Sequence, residues 1–292
     1  MKIQTMKCLV AALFVNAFAL GNAQAMDKNY SLTLSEPNEP ARLEVELHYG
    51  ELKVIGYDGK TIEISAKVTE PKNEPNNKHK AKIKARMKEA MGRHRTEPRS
   101  SEGLKSVKNQ SVNLEIEENN NSVEIASMAM NQYVQLTLMV PYNTSVESEV
   151  FQGGGIEVSD IRGELELQAY QGGVYAKNVS GPIVAETQMD DVVIELSEFN
   201  SSTPTSLTSH LGNIDITIDS SVSANINVQT FQGEIFSGLD TEFVAVDQVN
   251  KNDKKRKQKI VLGGTMQAKV NGGGQDLSLS TYMGNLYIRK AN

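Results

Sequence analysis

The sequence predicts an all-β chain, a parallel β-solenoid (β-helix) of short strands repeating every 18–21 residues or so. An antiparallel β-sandwich is the alternative that the same strands allow. Three observations carry this. A phrase of one small turn residue and an apolar–x–apolar strand recurs as FQGGGIEV (Phe151–Val158), YQGGVYA (Tyr170–Ala176), QMDDVVI (Gln188–Ile194), HLGNIDI (His210–Ile216), FQGEIF (Phe231–Phe236) and YMGNLYI (Tyr282–Ile288). Two consecutive units superimpose at an offset of eighteen: Ile156, Val158, Ile161, Gly163, Leu165 and Leu167 map onto Val174, Ala176, Val179, Gly181, Ile183 and Ala185, and only Ala169 to Thr187 changes character. A strand of four or five residues cannot bury its apolar face alone, so such units must stack at about 4.8 Å and align their inward side chains. Glycine, Asp190, Asp191, Asn213 and Asn285 supply the corners, where tight turns are needed.

The N-terminus has the pattern of a cleaved signal peptide over residues 1–25. Lys2 and Lys7 precede the apolar Leu9–Leu20, and Ala23-Gln24-Ala25 is an A-x-A site. The apolar run falls short of the roughly 18–20 residues that a membrane span needs. The expected mature chain, 26–292, is a single domain without cysteine, because Cys8 leaves with the leader. It must hold together by burial and backbone hydrogen bonds. No transmembrane segment is expected in it.

Next come Leu43–Leu47, Gly50–Ile55 and Thr61–Val68, alternating strands joined through Gly50 and a Tyr57-Asp58-Gly59 turn. GELKVIGYDGKTIEISAKV reads as one rung of the later repeat. The amphipathic stretch Tyr30–Leu47 is expected to cap the open end of the stack, since uncovered edges invite aggregation. A basic insert at 70–105 breaks the pattern, with eleven Lys and Arg against five Glu; its Lys78–His94 stretch reads as a marginal helix or as disordered chain. Strands return at Val112–Glu117, Val123–Ile125 and Tyr133–Val140. The repeat then runs from Thr144 with a polar loop at 197–208 and a second basic loop at 251–259, KNDKKRKQK, of net charge +5. It closes through Ile260–Leu262, Met266–Val270, Leu277–Leu279 and Leu286–Ile288.

The formal charge is −6, and −8 without the leader. With both basic segments set aside the remainder carries −19, an acidic body bearing two cationic interruptions.

The G-x-[ILV]-x-[ILV] strands, the QGG and GE(L/I) corners and the exported N-terminus resemble the bacterial "putative adhesin" families, domains of unknown function akin to the head GIN-domain group. The resemblance covers Leu43–Val68 and most of Tyr133–Ile288. It implies a β-solenoid with no assigned catalytic residue, and the two basic segments depart from it.

Candidate chemistry is sparse. His48, His79, His94 and His210 have no metal-ligand spacing and no cysteine to join them, so no metal or cofactor is expected. Asp190-Asp191 is the sharpest acidic pair, but it falls where sister units carry Gly-Gly, which favours a turn. Asn271–Asp276 is one imperfect copy of a calcium nonapeptide and reads as a corner. There is no G-x-S-x-G elbow and no phosphate loop. The best candidates are the basic residues Lys78, Lys80, Lys82, Lys84, Arg86 and Lys88, and Lys254, Lys255, Arg256 and Lys257, as an anionic-surface site. Each such cation near an anionic membrane contributes about 1 kcal/mol. The other reading of these runs is a solvated loop.

The expectation is an exported, non-enzymatic binding or structural module of the bacterial cell envelope, adhesin-like, in the periplasm or at the cell surface. Its partner would be an envelope protein, a glycan or an anionic lipid surface, and not nucleic acid. The alternatives are a periplasmic accessory protein of an envelope-stress or transport system docked on a membrane protein, and a glycan-active β-helix enzyme.

Overall fold

The computed structural model describes residues 28–69, 112–130, 132–197, 204–219, 222–246, 248–250, 259–261 and 264–291. These contain strands and turns and no helix. In chain order the strands are β1 (Lys28–Thr33), β2 (Arg42–Tyr57), β3 (Thr61–Thr69), β4 (Glu115–Asn119), β5 (Ser122–Ser127), β6 (Tyr133–Pro141) and β7 (Ser145–Ser159). The repeat region follows with β8 (Leu165–Ala169), β9 (Gly173–Val179), β10 (Ile183–Thr187), β11 (Val192–Leu196), β12 (Thr205–Ser209), β13 (Ile214–Ile218), β14 (Ala224–Thr230) and β15 (Ile235–Ser237). Last come β16 (Val244–Ala245), β17 (Gln248–Asn250), β18 (Lys259–Val261), β19 (Thr265–Val270), β20 (Gln275–Thr281) and β21 (Leu286–Lys290). All but β17 and β18, which pair with each other, belong to one large mixed sheet.

The pairing skips. β8 pairs in parallel with β10, and β10 with β12, while β9 pairs with β11 and β11 with β13. Strands adjacent in sequence therefore lie on two separate ladders, and each eighteen-residue unit contributes one strand to each. β2 and β7 are long enough to serve both. They pair in parallel over nearly their whole lengths, with a register shift at Gly50/Glu51. The far edge of β2 takes β5 along its first half and β6 along its second; β7 takes β8 and β9 in the same way. The single strand from Arg42 to Tyr57 thus joins two stretches that the sequence reads as separate.

Alternation sets what is buried. On the first ladder Val123, Leu43, Val146, Leu165, Ile183, Leu277 and Ile226 are all buried, and register places each beside its neighbours on the adjoining strands, with Thr205 between Ile183 and Leu277. On the second, Leu136, Leu52, Ile156, Val174, Val192, Ile214 and Leu286 do the same. The columns form one apolar cluster, and each large side chain in it contributes about 1.5–3 kcal/mol by leaving water.

The order of rungs in space is not the order in sequence. β20 and β21, the last strands of the chain, lie between β12/β13 and β14/β15. At the other end β2 lies between β5/β6 and β7. Antiparallel strands close these ends: β4 on β5, β3 on β6 and β1 on β3, and at the far end β19 on β14 and β16 on β19.

Two expectations need correction here. Thr61–Val68 is not part of a parallel rung: the tight turn at Asp58-Gly59 reverses the chain, and β3 runs antiparallel as a cap on β6, since a parallel partner needs a long crossover. Of the expected cap Tyr30–Leu47, only the β1 part lies at the outside, and Arg42–Leu47 sits within the stack.

Candidate binding surface

The corner between the two ladders is built by hydroxyls. Thr187, Ser209, Thr281 and Thr230 end successive first-ladder strands. Each donates to a corner carbonyl of the rung beneath: Gly172 at 2.8 Å, Asp190 at 3.0 Å, Gly212 at 2.9 Å and Gly284 at 3.0 Å. Ser209 and Thr281 also accept from the amides of Gly212 (2.9 Å) and Gly284 (3.1 Å) in their own turns. The substitution of Ala169 by Thr187 at the repeat offset is therefore the start of a polar ladder inside the corner. The turns stack so closely that a Cβ on Gly284 would lie 1.9 Å from the Gly212 carbonyl oxygen.

A second ladder runs beside it. Asp191 accepts from the Asn213 amide at 2.7 Å, Asn213 from Asn285 at 2.9 Å, and Asn285 from Glu234 at 2.9 Å. Asp190 accepts from the amide of Asp191 at 2.8 Å. The acidic pair is thus engaged as turn chemistry in place of Gly-Gly. Asn271 (φ 50°) likewise turns the chain from β19 into β20 and donates to the Val222 carbonyl at 2.7 Å.

The residue that follows the first-ladder part of each rung, within β2 and β7 and just after β8, β10, β12, β20 and β14, points outward, and backbone hydrogen bonds hold these positions in register. They are His48, Phe151, Tyr170, Gln188, His210, Tyr282 and Phe231. His48 stacks on Phe151 (centroids 5.6 Å apart), Phe151 on Tyr170 (5.0 Å), and Tyr282 on Phe231 (4.9 Å). The neighbouring corner positions carry Met189, Leu211 and Met283, and Met128 and Met130 follow β5. Of these apolar residues Tyr170, Tyr282, Phe231 and all the Met and Leu positions are exposed, Phe231 by 69% and Met130 by 73%. Exposed apolar residues gathered along one corner make it the candidate interaction surface. His210 lies 3.9 Å from Glu186, which also accepts from Gln188 at 2.8 Å.

The outward side of the first ladder is acidic. Glu117, Glu124, Glu44, Glu147 and Glu166 fall side by side on successive strands. The adjoining row holds Glu115, Glu46, Glu149 and Glu186. Arg42 pairs with Glu147. Burial, then the Glu46 charge, push the Glu149 carboxyl above its ordinary range. The second ladder is balanced instead, with Lys53–Glu157 at 2.6 Å and Arg289–Asp215 at 2.7 Å. Where β6 begins, the Tyr133 hydroxyl donates to Glu51 at 2.9 Å, and burial with that carboxylate pushes its phenol up.

The predicted basic site, Lys78, Lys80, Lys82, Lys84, Arg86 and Lys88 with Lys254, Lys255, Arg256 and Lys257, lies outside the described residues, as do His79 and His94. The strands flanking residues 251–258 are β17 and β18, an antiparallel pair. Among the described residues no group of three or more His, Cys, Asp and Glu is placed to hold a metal ion. Sequence reasoning found the corner but not the stripe or the acidic rows. Their signal was the alternating glutamate of LEVEL, SVEI, SVESEV and GELEL, segments far apart in the chain.

No family model matches the chain, and no curated protein sequence matches it. Solved structures that resemble it include two adhesin-like proteins by their descriptions. One, described as a "putative cell adhesion protein" from Clostridium sporogenes, has a TM-score of 0.47 at 11% identity, over 92% of this chain and all of that one. The other, a "putative adhesin" from Bacteroides fragilis, has a TM-score of 0.28 at 9% identity, over 92% of this chain and 98% of that one.

Proposed function

We propose that the chain is an exported, non-enzymatic binding module of the bacterial cell envelope, adhesin-like, whose scaffold is a β-solenoid folded as a single domain. The observation that carries the binding role is the exposed corner stripe of Tyr170, Met189, Leu211, Tyr282, Met283 and Phe231 on a stack of short hydrogen-bonded strands. A stripe so exposed favours an apolar partner surface, and its ring edges, histidines and glutamines supply a polar rim, the composition common at protein interfaces. The partner proposed is an envelope protein. The skipping parallel pairs support the solenoid reading, and the engagement of Asp190 and Asp191 in turn hydrogen bonds favours a structural role over acid–base chemistry.

The test is retention of detergent-solubilised envelope proteins on the immobilised chain, compared with a Tyr170→Ser/Tyr282→Ser/Phe231→Ser variant. A defined set of proteins kept by the parent and lost by the variant, at equal thermal stability, is the expected result; equal retention by both refutes the corner as the binding surface. Protease treatment of intact cells separates a surface adhesin, which is cut, from a periplasmic module, which is spared. The basic residues Lys78–Lys88 and Lys254–Lys257 remain proposed as a contact to an anionic surface. Co-sedimentation with anionic liposomes at low and high salt tests this, with Lys254–Lys257 changed to Gln; unchanged binding by the variant sinks that contact.

A further inference from the structure

The two ladders do not end level. Beyond the rung formed by β5 and β6, the first ladder is continued by β4 alone, whereas the second is continued by β3 and then β1. Among the described residues the inward face of β1 therefore has no strand opposite it. Elsewhere in the stack the inward side chains are buried, as Ile62, Ile64 and Ile125 are. Here Tyr30 and Leu32 on β1, with Val112, Leu114 and Ile116 on and before β4, are only half-buried. They line a cavity of about 360 Å³ that Ile64 and Ala66 floor. Small-molecule sites are hollows of roughly 300–1,000 Å³, mostly apolar, with a few placed polar groups.

The cavity is graded along its length. Lys28, Tyr30 and Leu32 alternate onto one face of β1, passing from a cation through a phenol to an aliphatic side chain. Lys28 registers through Ala66 with Leu136, near the start of β6, and Val112 lies on the side where β5 ends, so both stand towards the corner. Beyond Leu32 the chain closes over the other end. Leu34 is buried, the Ser35 amide and hydroxyl donate to Glu118 at 3.1 and 3.0 Å, and the Glu36 amide donates to Asn121 at 2.7 Å. Among the described residues neither the Lys28 ammonium nor the Tyr30 hydroxyl has a hydrogen-bond or ion-pair partner, and both line the cavity. An uncommitted cation at the mouth of an apolar hollow is complementary to an alkyl chain that ends in an anionic head. Lys28 to Leu32 spans about 13 Å, the extended length of roughly ten carbons joined by bonds of about 1.5 Å.

We propose that this cavity binds a free medium-chain fatty acid anion, with its alkyl chain between β1 and β4 and its carboxylate at Lys28 and Tyr30. The site is separate from the corner stripe and does not depend on what the corner binds.

The experiment is isothermal titration of the full mature chain with octanoate, decanoate and dodecanoate, each below the concentration at which it aggregates. One equivalent should bind saturably. Kd should fall about fourfold for each methylene buried and level off at the length that fills the cavity. Leu114→Trp, which fills the cavity from a half-buried position, should weaken decanoate about tenfold or more at unchanged thermal stability. Lys28→Gln should weaken decanoate by about two- to fivefold and leave decanol, which lacks the charge, unaffected. These Lys28 and chain-length measurements stand even where Leu114→Trp fails to fold. No saturable binding by the parent, as when a second copy or another segment of the chain fills the cavity, would overturn the proposal. So would affinity indifferent to chain length, parent-like binding by a folded Leu114→Trp variant, or an equal Lys28→Gln effect on decanoate and decanol. Displacement of decanoate by phosphatidylglycerol vesicles at equal acyl concentration would overturn the free acid in favour of a membrane lipid. The Tyr170→Ser/Tyr282→Ser/Phe231→Ser variant should bind decanoate like the parent, so the cavity and the corner fail separately.

Discussion

Replacing Thr281 by valine isolates the contribution of the hydroxyl ladder. Thr281 is 3% exposed, donates to the Gly212 carbonyl at 2.9 Å and accepts from the Gly284 amide at 3.1 Å. Valine keeps the shape and removes both bonds. It leaves a carbonyl and an amide unpaired where both glycines are buried. Each orphaned buried group costs about 1–3 kcal/mol, so the variant should lose about 2–6 kcal/mol. That is a large share of the 5–15 kcal/mol typical of a folded domain. Thr281→Ser keeps the hydroxyl and gives up one methyl, at a cost of about 1 kcal/mol. In urea, with a slope of about 3 kcal/mol per molar, the valine midpoint should fall by about 0.7–2 M and the serine midpoint by about 0.3 M. Coincident midpoints for the two variants would refute the assignment of the corner hydrogen bonds to this hydroxyl.

Leu279, buried between Leu207 and Val228, should cost about 2–5 kcal/mol on truncation to alanine, read by thermal or urea unfolding. Gly172→Ala would bring a Cβ to 2.2 Å from the Gly155 nitrogen, so the stacked turns must part; a loss of about 1–3 kcal/mol is expected by the same measurement. At Glu118 burial pushes the carboxyl up, but hydrogen bonds from the Ser35 hydroxyl and the Asn121 and Ser35 amides outweigh it and hold the group below its ordinary value. A lowered carboxylate stabilises above its unfolded-state pKa, and this is lost as pH falls through the folded value. Glu118→Gln should therefore be less stable than the parent at pH 7, with the difference closing in acid. Glu149 has the opposite sign: its raised pKa favours the fold below the unfolded value and costs stability once the group ionises. Glu149→Gln should gain on the parent as pH rises from 4 to 7, and parallel pH profiles would contradict this.

Much of the strand inventory was legible because alternation and turn residues are local. Leu165, Leu167 and Ala169 announce their strand, and the eighteen-residue offset to Ile183 aligns it with the next, as the register shows. What could not be read is whatever depends on which strands become neighbours. Gly50 looks like a break, yet the chain passes through it as one strand because β7 bends beside it. Asp58-Gly59 looks like another repeat corner, but it reverses the chain. The acidic rows draw on Glu117, Glu44, Glu147 and Glu166, which only the stacking order brings together. The predicted basic site, Lys78–Lys88 and Lys254–Lys257, lies outside the described residues.

The placement of β20 and β21 inside the stack bears on how the protein is made. A chain that emerges N-terminus first can lay β8 to β13 down in sequence, each rung templating the next. β14 and β15 then have no rung to join, because the place beside β12 and β13 belongs to residues not yet synthesised. Asn285 meets Asn213 across 72 residues of chain. Closing a loop of that size is entropically slow relative to adding the next rung in line. Completion should therefore wait for residues 275–290, and chains stalled before residue 275 should leave an open parallel edge at β12 and β13. If the chain is exported as proposed, a step that needs residues 275–290 delays commitment to the folded state until those residues have crossed the membrane.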